Sequence, residues 1–267
     1  GLITAYRQSR SAGDLRNRTI SIRRVRCQNS QHMQENENDP RAEYVMRNTE
    51  VVRPPKQSLA TFGTTIIRYH MLSAPIYSEI EGLGGAEETV IRNGTVRANK
   101  PEVVTPYYLA HAEGFGDSAA EFLEEITRLY GPNSPGLMYE YQNEFGGTEI
   151  VSGNPDEVAK RVEARLDKEG RELEAVIKGV DDHWDLSLLK FIFDLTNQSV
   201  KSNVSDLNSR GLLDPQNDVP RAAHVRIEKM LAEARRGERD PSEVHRELDR
   251  WGLFDQYEDR FLALFRQ

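Results

Sequence analysis

The chain has 267 residues, of which 37% are hydrophobic and 29% are charged, and its formal net charge is −8. This balance is typical of a globular protein with one large or two small domains, and it excludes collagen-like and strongly biased sequences. No run approaches the roughly 18 apolar residues of a membrane span. Cys27 is the single cysteine, so the residues that follow it contain no thiol nucleophile and no thiolate metal site. A chain that cannot form an internal disulfide fits a reducing compartment, and a cytoplasmic location is expected.

The N-terminal segment is basic and has no apolar pattern that could build a core. Residues 1–45 contain eight arginines and five acidic residues, which gives a local charge of 8 − 5 = +3. Residues 1–56 are therefore predicted to form a disordered leader. Three origins stay open: an organelle transit peptide, a nucleic-acid-binding arm, or upstream sequence added by a wrong start site, with Met46 as the candidate start. The third is favoured.

Residues 57–153 are predicted to be rich in strands. The first strand is indicated by β-branched and aromatic residues between Phe62 and Met71. Because side chains alternate along a strand, Phe62, Ile66, Arg68 and His70 are expected on one face.

Two hairpins are predicted further along this segment. Asn93-Gly94 tolerates positive φ and is flanked by β-branched residues over 89–98, which favours a two-residue type I′ turn. Gly146-Gly147 predicts a second hairpin over 137–151, with a less certain register.

Helices are predicted by apolar spacing and by start signals. Residues 117–130 have apolar residues at helical spacing and predict a helix that packs on the sheet. Residues 154–267 are predicted to be mainly helical, since Asn154-Pro155 and Asp240-Pro241 each combine a capping side chain with a first-turn proline. Residues 184–195 are apolar almost all round and predict a buried, central helix.

Together these elements predict an α+β fold. It consists of a central, mostly antiparallel sheet with one packed helix, followed by a helical C-terminal half. The strand-rich segment, 57–153, and the helical segment, 154–267, could form one domain or two.

Standard catalytic and cofactor-binding motifs are absent from the sequence. It contains no phosphate-binding loop, dinucleotide fingerprint, nucleophile elbow, metalloprotease motif or calcium loop. No cofactor and no metal site is therefore predicted. Whether the chain is an enzyme stays open, because active sites also assemble from residues that are distant in sequence.

The densest polar cluster is a candidate acid/base site formed by Asp181, Asp182, His183 and Asp185. It offers three carboxylates and an imidazole, which are the groups used in proton transfer and in binding hard metal ions. Consecutive helical residues point in different directions, so at most two of them could converge. The favoured alternative is an acidic first turn that caps the following helix.

A second candidate is a basic strand face formed by Arg68, His70, Arg92 and Arg97. The residues after position 45 carry −8 − 3 = −11, so such a face would stand out and could bind a phosphate or carboxylate. This requires the first strand and the first hairpin to be neighbours with these faces aligned. The favoured alternative is a set of solvated arginines on an exposed sheet.

A third candidate is a DNA-binding unit, because residues 188–208 loosely resemble a winged helix–turn–helix. Residues 154–267 hold 19 basic and 24 acidic side chains, and the balance of 19 − 24 = −5 disfavours duplex binding, which usually needs a basic face.

Three functional hypotheses follow, in decreasing order. The first is a cytoplasmic protein-interaction or accessory protein without catalytic activity, whose partner is a protein. The second is a binder of small anions or phosphorylated ligands, or an enzyme, that uses the basic strand face. The third is a nucleic-acid-binding regulator. No membrane partner is expected.

Overall fold

The computed structural model describes residues 2–6, 40–79, 87–112 and 117–266. The helices are α1 (Pro40–Asn48), α2 (Pro106–Ala110), α3 (Asp117–Tyr130), α4 (Pro155–Lys168), α5 (Trp184–Ser209), α6 (Arg221–Arg235), α7 (Pro241–Trp251) and α8 (Phe254–Leu262). The strands are β1 (Leu2–Tyr6), β2 (Glu50–Arg53), β3 (Thr65–Ser73), β4 (Glu88–Ala98), β5 (Glu102–Val104), β6 (Gly136–Ser152), β7 (Glu174–Lys178), β8 (Pro215–Gln216) and β9 (Val219–Pro220). The predicted α+β class with a helical C-terminal half is confirmed.

The described residues form two compact units that alternate along the chain. The first unit comprises 2–3, 40–79, 87–100 and 139–202, and the second comprises 4–6, 101–112, 117–138 and 203–266. These units do not follow the boundaries of the predicted segments.

The first unit is built on a mixed sheet with the strand order β6-β4-β3-β7-β2. The β3–β7 pair is parallel, whereas β2–β7, β3–β4 and β4–β6 are antiparallel. Burial alternates along β3: Ile67 and Tyr69 are buried, and Ile66 and Arg68 are exposed. The alternation predicted for this strand therefore holds from Thr65 to Tyr69, whereas Met71, Leu72 and Ser73 are all buried and Phe62 lies before the strand.

Helices lie on both faces of this sheet. On one face, Val162 and Leu166 of α4 pack against Leu72 and Val176. On the other face, α5 approaches β6, where the Tyr141 hydroxyl lies 2.5 Å from Thr196 Oγ1. The helix that packs on the sheet opposite α5 is thus α4, and not the one predicted over 117–130.

The predicted hairpin at Asn93-Gly94 is wrong. β4 runs without interruption through both residues and pairs with β3 on one side and β6 on the other. Gly94 serves close packing instead of a turn, because a Cβ there would lie 2.3 Å from the Tyr69 hydroxyl oxygen and 2.8 Å from the Glu144 carbonyl oxygen. The second predicted hairpin is also wrong, since β6 is continuous across Gly146-Gly147.

Gly94→Ala is expected to lower the free energy of unfolding by about 1–3 kcal/mol, because the added methyl group would overpack the contact with Tyr69 and the β6 backbone. Gly63→Ala is the matched control, since a Cβ there meets no heavy atom within 4 Å. Its effect should stay within about 0.5 kcal/mol. Urea denaturation of both variants measures the difference, and equal effects would contradict the packing explanation.

Helix α5 corrects two predictions. It continues as one helix from Trp184 to Ser209, so the turn required by a helix–turn–helix over 188–208 does not exist. It is also not buried all round: Phe191 is buried, but Leu189 is 53% exposed.

Part of the predicted leader is ordered. Helix α1 buries Val45, and β2 pairs with β7. The buried guanidinium of Arg53 donates from Nη2 to Asp167 Oδ1 at 2.9 Å and from Nη1 to the Glu174 carbonyl. These elements are short and polar, which explains why the sequence pattern did not indicate them. Residues 7–39, which include the single cysteine, lie outside the described residues.

The second unit has a helical core. Its buried side chains come from β5 and from α2, α6, α7 and α8, and they include Tyr108, Ile227, Leu248, Trp251 and Tyr257. The predicted helix start at Asp240 is confirmed, because its side chain accepts a hydrogen bond from the Ser242 amide at 2.8 Å.

Candidate functional site

The structure separates the four residues of the predicted basic strand face. Side chains of directly paired residues share a face of a sheet. The register pairs Arg97 with Ile66, on the face of β3 that also carries Arg68 and His70, but it pairs Arg92 with Met71, on the opposite face. Arg92 therefore does not join the other three residues.

On the face that carries Arg68 and His70, one carboxylate of β7 contacts both of these residues. Glu174 Oε2 lies 3.1 Å from His70 Nε2, and Glu174 Oε1 accepts a hydrogen bond from Arg68 at 3.4 Å. The other imidazole nitrogen, Nδ1, lies 2.6 Å from Asn93 Oδ1. Both nitrogens of His70 therefore have hydrogen-bond partners within the sheet.

The charge of this network is largely compensated. Burial alone would raise the pKa of Glu174, but hydrogen bonds from His70 and Arg68 outweigh burial and hold the pKa below its ordinary value. The carboxylate thus stays ionised at neutral pH and neutralises its cationic neighbour. Of the four residues predicted to form the basic strand face, Arg97 is the one that makes no ion pair within the described residues.

Arg92 instead contacts Asp181, a residue of the predicted acid/base cluster. Asp181 Oδ1 accepts hydrogen bonds from Arg92 Nη1 at 2.6 Å and from Ser73 Oγ at 2.7 Å, and Oδ2 accepts one from the Ile76 amide at 3.2 Å. Burial would raise the pKa of Asp181, but these bonds hold it below its ordinary value. The Arg92 guanidinium also lies 5.9 Å from the centre of the Trp184 ring. This network joins the C-terminal end of β3 to the start of α5.

The remaining members of the acid/base cluster do not converge with Asp181. Asp182 is exposed, and its Oδ2 lies 3.5 Å from His183 Nε2. Asp185 accepts a hydrogen bond from the Leu186 amide at 2.9 Å, in the first turn of α5. In the part of the chain that the structure describes, no three His, Cys, Asp or Glu residues are arranged to hold a metal ion.

Helix α3 carries an apolar stripe that is only partly covered. Phe122 is 62% exposed and Leu129 is 53% exposed, while Leu123 and Ile126 between them are half-buried. None of the α3 side chains from residue 120 to 130 is fully buried. The sequence predicted this helix with its correct bounds, but it expected the stripe to be covered by the sheet.

A cleft that sequence reasoning missed lies between the start of α7 and the end of α8. We call it the α7–α8 cleft; its volume is about 450 Å³ and it is lined by Asp240, Pro241, Ser242, His245, Arg246, Phe261 and Phe265. Phe261 is buried at its base, whereas Phe265 is 62% exposed. Phe261 and Phe265 are four residues apart, and this helical spacing was the available signal in the sequence, although Phe265 follows the last residue of α8.

No helix in the described ranges is long and apolar enough to cross a bilayer. The chain matches no protein-family model, and comparisons with curated proteins and with solved structures gave no match.

Proposed function

We propose that the chain is a cytoplasmic protein-interaction module without catalytic activity, and that α3 is its recognition helix. The proposal rests on one observation: an amphipathic helix of 14 residues leaves two large residues of its apolar stripe, Phe122 and Leu129, more than half exposed, although such a stripe normally faces a core. Large exposed apolar surfaces commonly mark interaction sites.

The stripe has the spacing of a helix that docks into a groove. Phe122, Leu123, Ile126 and Leu129 occupy positions i, i+1, i+4 and i+7 and therefore lie on one side of α3. Complete burial of a Phe or Leu side chain contributes about 1.5–3 kcal/mol, so the two exposed anchors can supply much of a binding energy.

The charge of α3 indicates the chemistry of the partner. The helix contains four acidic residues and one arginine, which gives 1 − 4 = −3. Arg128 is already bound to both carboxylate oxygens of Glu125, at 3.0 Å from Nε and 2.7 Å from Nη2. Glu121 and Glu124 remain exposed. The partner is therefore a protein with an apolar groove whose rim carries Lys and Arg, and opposite charges accelerate the encounter.

The proposal is tested by placing a photoreactive benzoylphenylalanine at position 122 and, as a control, at position 124 on the other side of the helix. We expect position 122 to capture a protein partner and position 124 to capture it weakly. The purified partner should then bind Phe122→Ala and Leu129→Ala at least about tenfold more weakly than the parent chain. Val225→Ala, another exposed apolar residue of the second unit, should bind like the parent chain.

Two results would overturn the proposal. One is a crosslink from position 122 only to residues 7–39 of the same chain or to a second copy. The other is a captured partner whose affinity is insensitive to both α3 variants.

A further inference from the structure

The α7–α8 cleft offers an apolar volume bounded by aromatic rings. The Phe265 ring is 5.4 Å from the Phe261 ring at an interplanar angle of 73°, and the His245 ring is 5.4 Å from Phe261 at 61°. The rings of Phe265 and His245 are thus both steeply inclined to the Phe261 ring, and Pro241 also lines the cleft. The volume of about 450 Å³ falls within the usual range of small-ligand sites.

A cation at the rim has no ion-pair partner among the described residues. Arg246 is exposed and lines the cleft. Nearby arginines differ from it: Arg239 pairs with Glu233 and Glu243, and Arg260 pairs with Glu228. Arg246 is therefore available to bind a carboxylate.

The rim also holds the carboxylate of Asp240, which is hydrogen-bonded to the amide and to the side chain of Ser242. Asp240 Oδ1 accepts the hydrogen bond from the Ser242 amide, and this bond is the largest cause of the lowered pKa of Asp240. The charge of Arg246 lowers that pKa further. Asp240 therefore stays ionised at neutral pH, and the two oxygens of a carboxylate have enough lone pairs to accept a further hydrogen bond from an ammonium group.

We infer that the α7–α8 cleft binds an apolar α-amino acid as its zwitterion. The ligand side chain packs against Phe261 and Phe265, its carboxylate pairs with Arg246, and its ammonium group pairs with Asp240. A simple anion would be repelled by Asp240, and a simple cation would be repelled by Arg246. A ligand with a carboxylate, an ammonium group and an apolar side chain can interact with Arg246, with Asp240 and with the two phenylalanine rings at the same time.

The test is an NMR titration of the full chain with four probes. L-Phenylalanine has all three groups, whereas alanine lacks the large side chain, N-acetylphenylalanine lacks the ammonium group and phenylalanine amide lacks the carboxylate. The cleft is open on one side, so we expect phenylalanine to bind with a Kd on the order of 1 mM. Each of the other probes should bind at least about fivefold more weakly.

Variants then assign the binding to the cleft. Phe265→Ala, Arg246→Gln and Asp240→Asn should each weaken phenylalanine binding at least about fivefold, and Asn keeps a capping side chain for α7. Leu262→Ala, an exposed apolar residue of α8 outside the lining, should leave binding unchanged.

The inference is overturned if phenylalanine binds no better than alanine, if N-acetylphenylalanine binds as tightly as phenylalanine, or if the three cleft variants bind like the parent chain. Phe122→Ala should bind phenylalanine normally, so a failure here is independent of the recognition role proposed for α3.

Discussion

Arg226→Met is expected to lower the free energy of unfolding by about 3–5 kcal/mol, because it leaves a buried carboxylate without its cation. Glu247 is 3% exposed, and its Oε1 lies 3.2 Å from Arg226 Nε. Its remaining partners, the Trp251 indole at 3.0 Å and the Tyr108 hydroxyl at 3.2 Å, are neutral donors. Methionine retains most of the side-chain volume, and Glu102, the other carboxylate that Arg226 binds, is 36% exposed, so the loss reports mainly the charge left on the buried Glu247.

The explanation has an internal control. In the Arg226→Met background, Glu247→Gln removes the uncompensated charge and should recover most of the lost stability. Lys229→Met removes an exposed cation from the same helix and should change stability by less than about 0.5 kcal/mol. Urea denaturation followed by tryptophan fluorescence measures all three variants. The account fails if Arg226→Met costs no more than Lys229→Met.

Phe191→Ala is expected to cost about 3–5 kcal/mol, because it removes a fully buried ring from α5 and leaves a cavity. Leu189→Ala, two residues away, is the matched comparison. Its side chain is 53% exposed, so its loss should stay below about 1 kcal/mol.

Guanidinium denaturation of these two α5 variants gives the comparison directly. Similar losses would show that α5 is covered on both sides, as the apolar sequence of 184–195 had predicted. A loss confined to Phe191→Ala would show that only one side of the helix faces a core.

Helix bounds could be predicted where the signals were local. Helices α4 and α7 begin where Asn154 and Asp240 cap their first turns, and the cap hydrogen bonds are present at 2.9 Å and 2.8 Å. Helix α3 has the predicted bounds, Asp117–Tyr130. These signals depend on neighbours within a few residues, so no tertiary information was needed.

The strands were harder to predict, because contacts with residues distant in sequence determine where they begin and end. Asn93-Gly94 has a strong local preference for a turn, but Tyr69 requires a residue without a side chain at position 94 of a straight strand. This one error also changed the candidate site. In a continuous strand, Arg92 and Arg97 are five residues apart and point to opposite faces, whereas a hairpin would have allowed other arrangements.

The partners of the charged side chains could not be predicted at all. Glu174 appeared in no candidate site, although it binds both Arg68 and His70. Arg92 and Asp181 were assigned to different clusters, although they are in direct contact. Both pairings depend on the position of β7 beside β3, which is a parallel pairing between residues more than 100 positions apart.

The alternation of the two units along the chain constrains how the protein folds. The sheet of the first unit needs β3 and β4 from before residue 101 and β6 and β7 from after residue 138, so a ribosome must release most of the chain before that sheet can close. Contacts of such long sequence separation slow folding, since the loop entropy is lost before the strand pairs form. Neither half of the chain made by a single cut at residue 138 contains a complete unit. The two units therefore cannot be inherited or exchanged between proteins as contiguous gene segments.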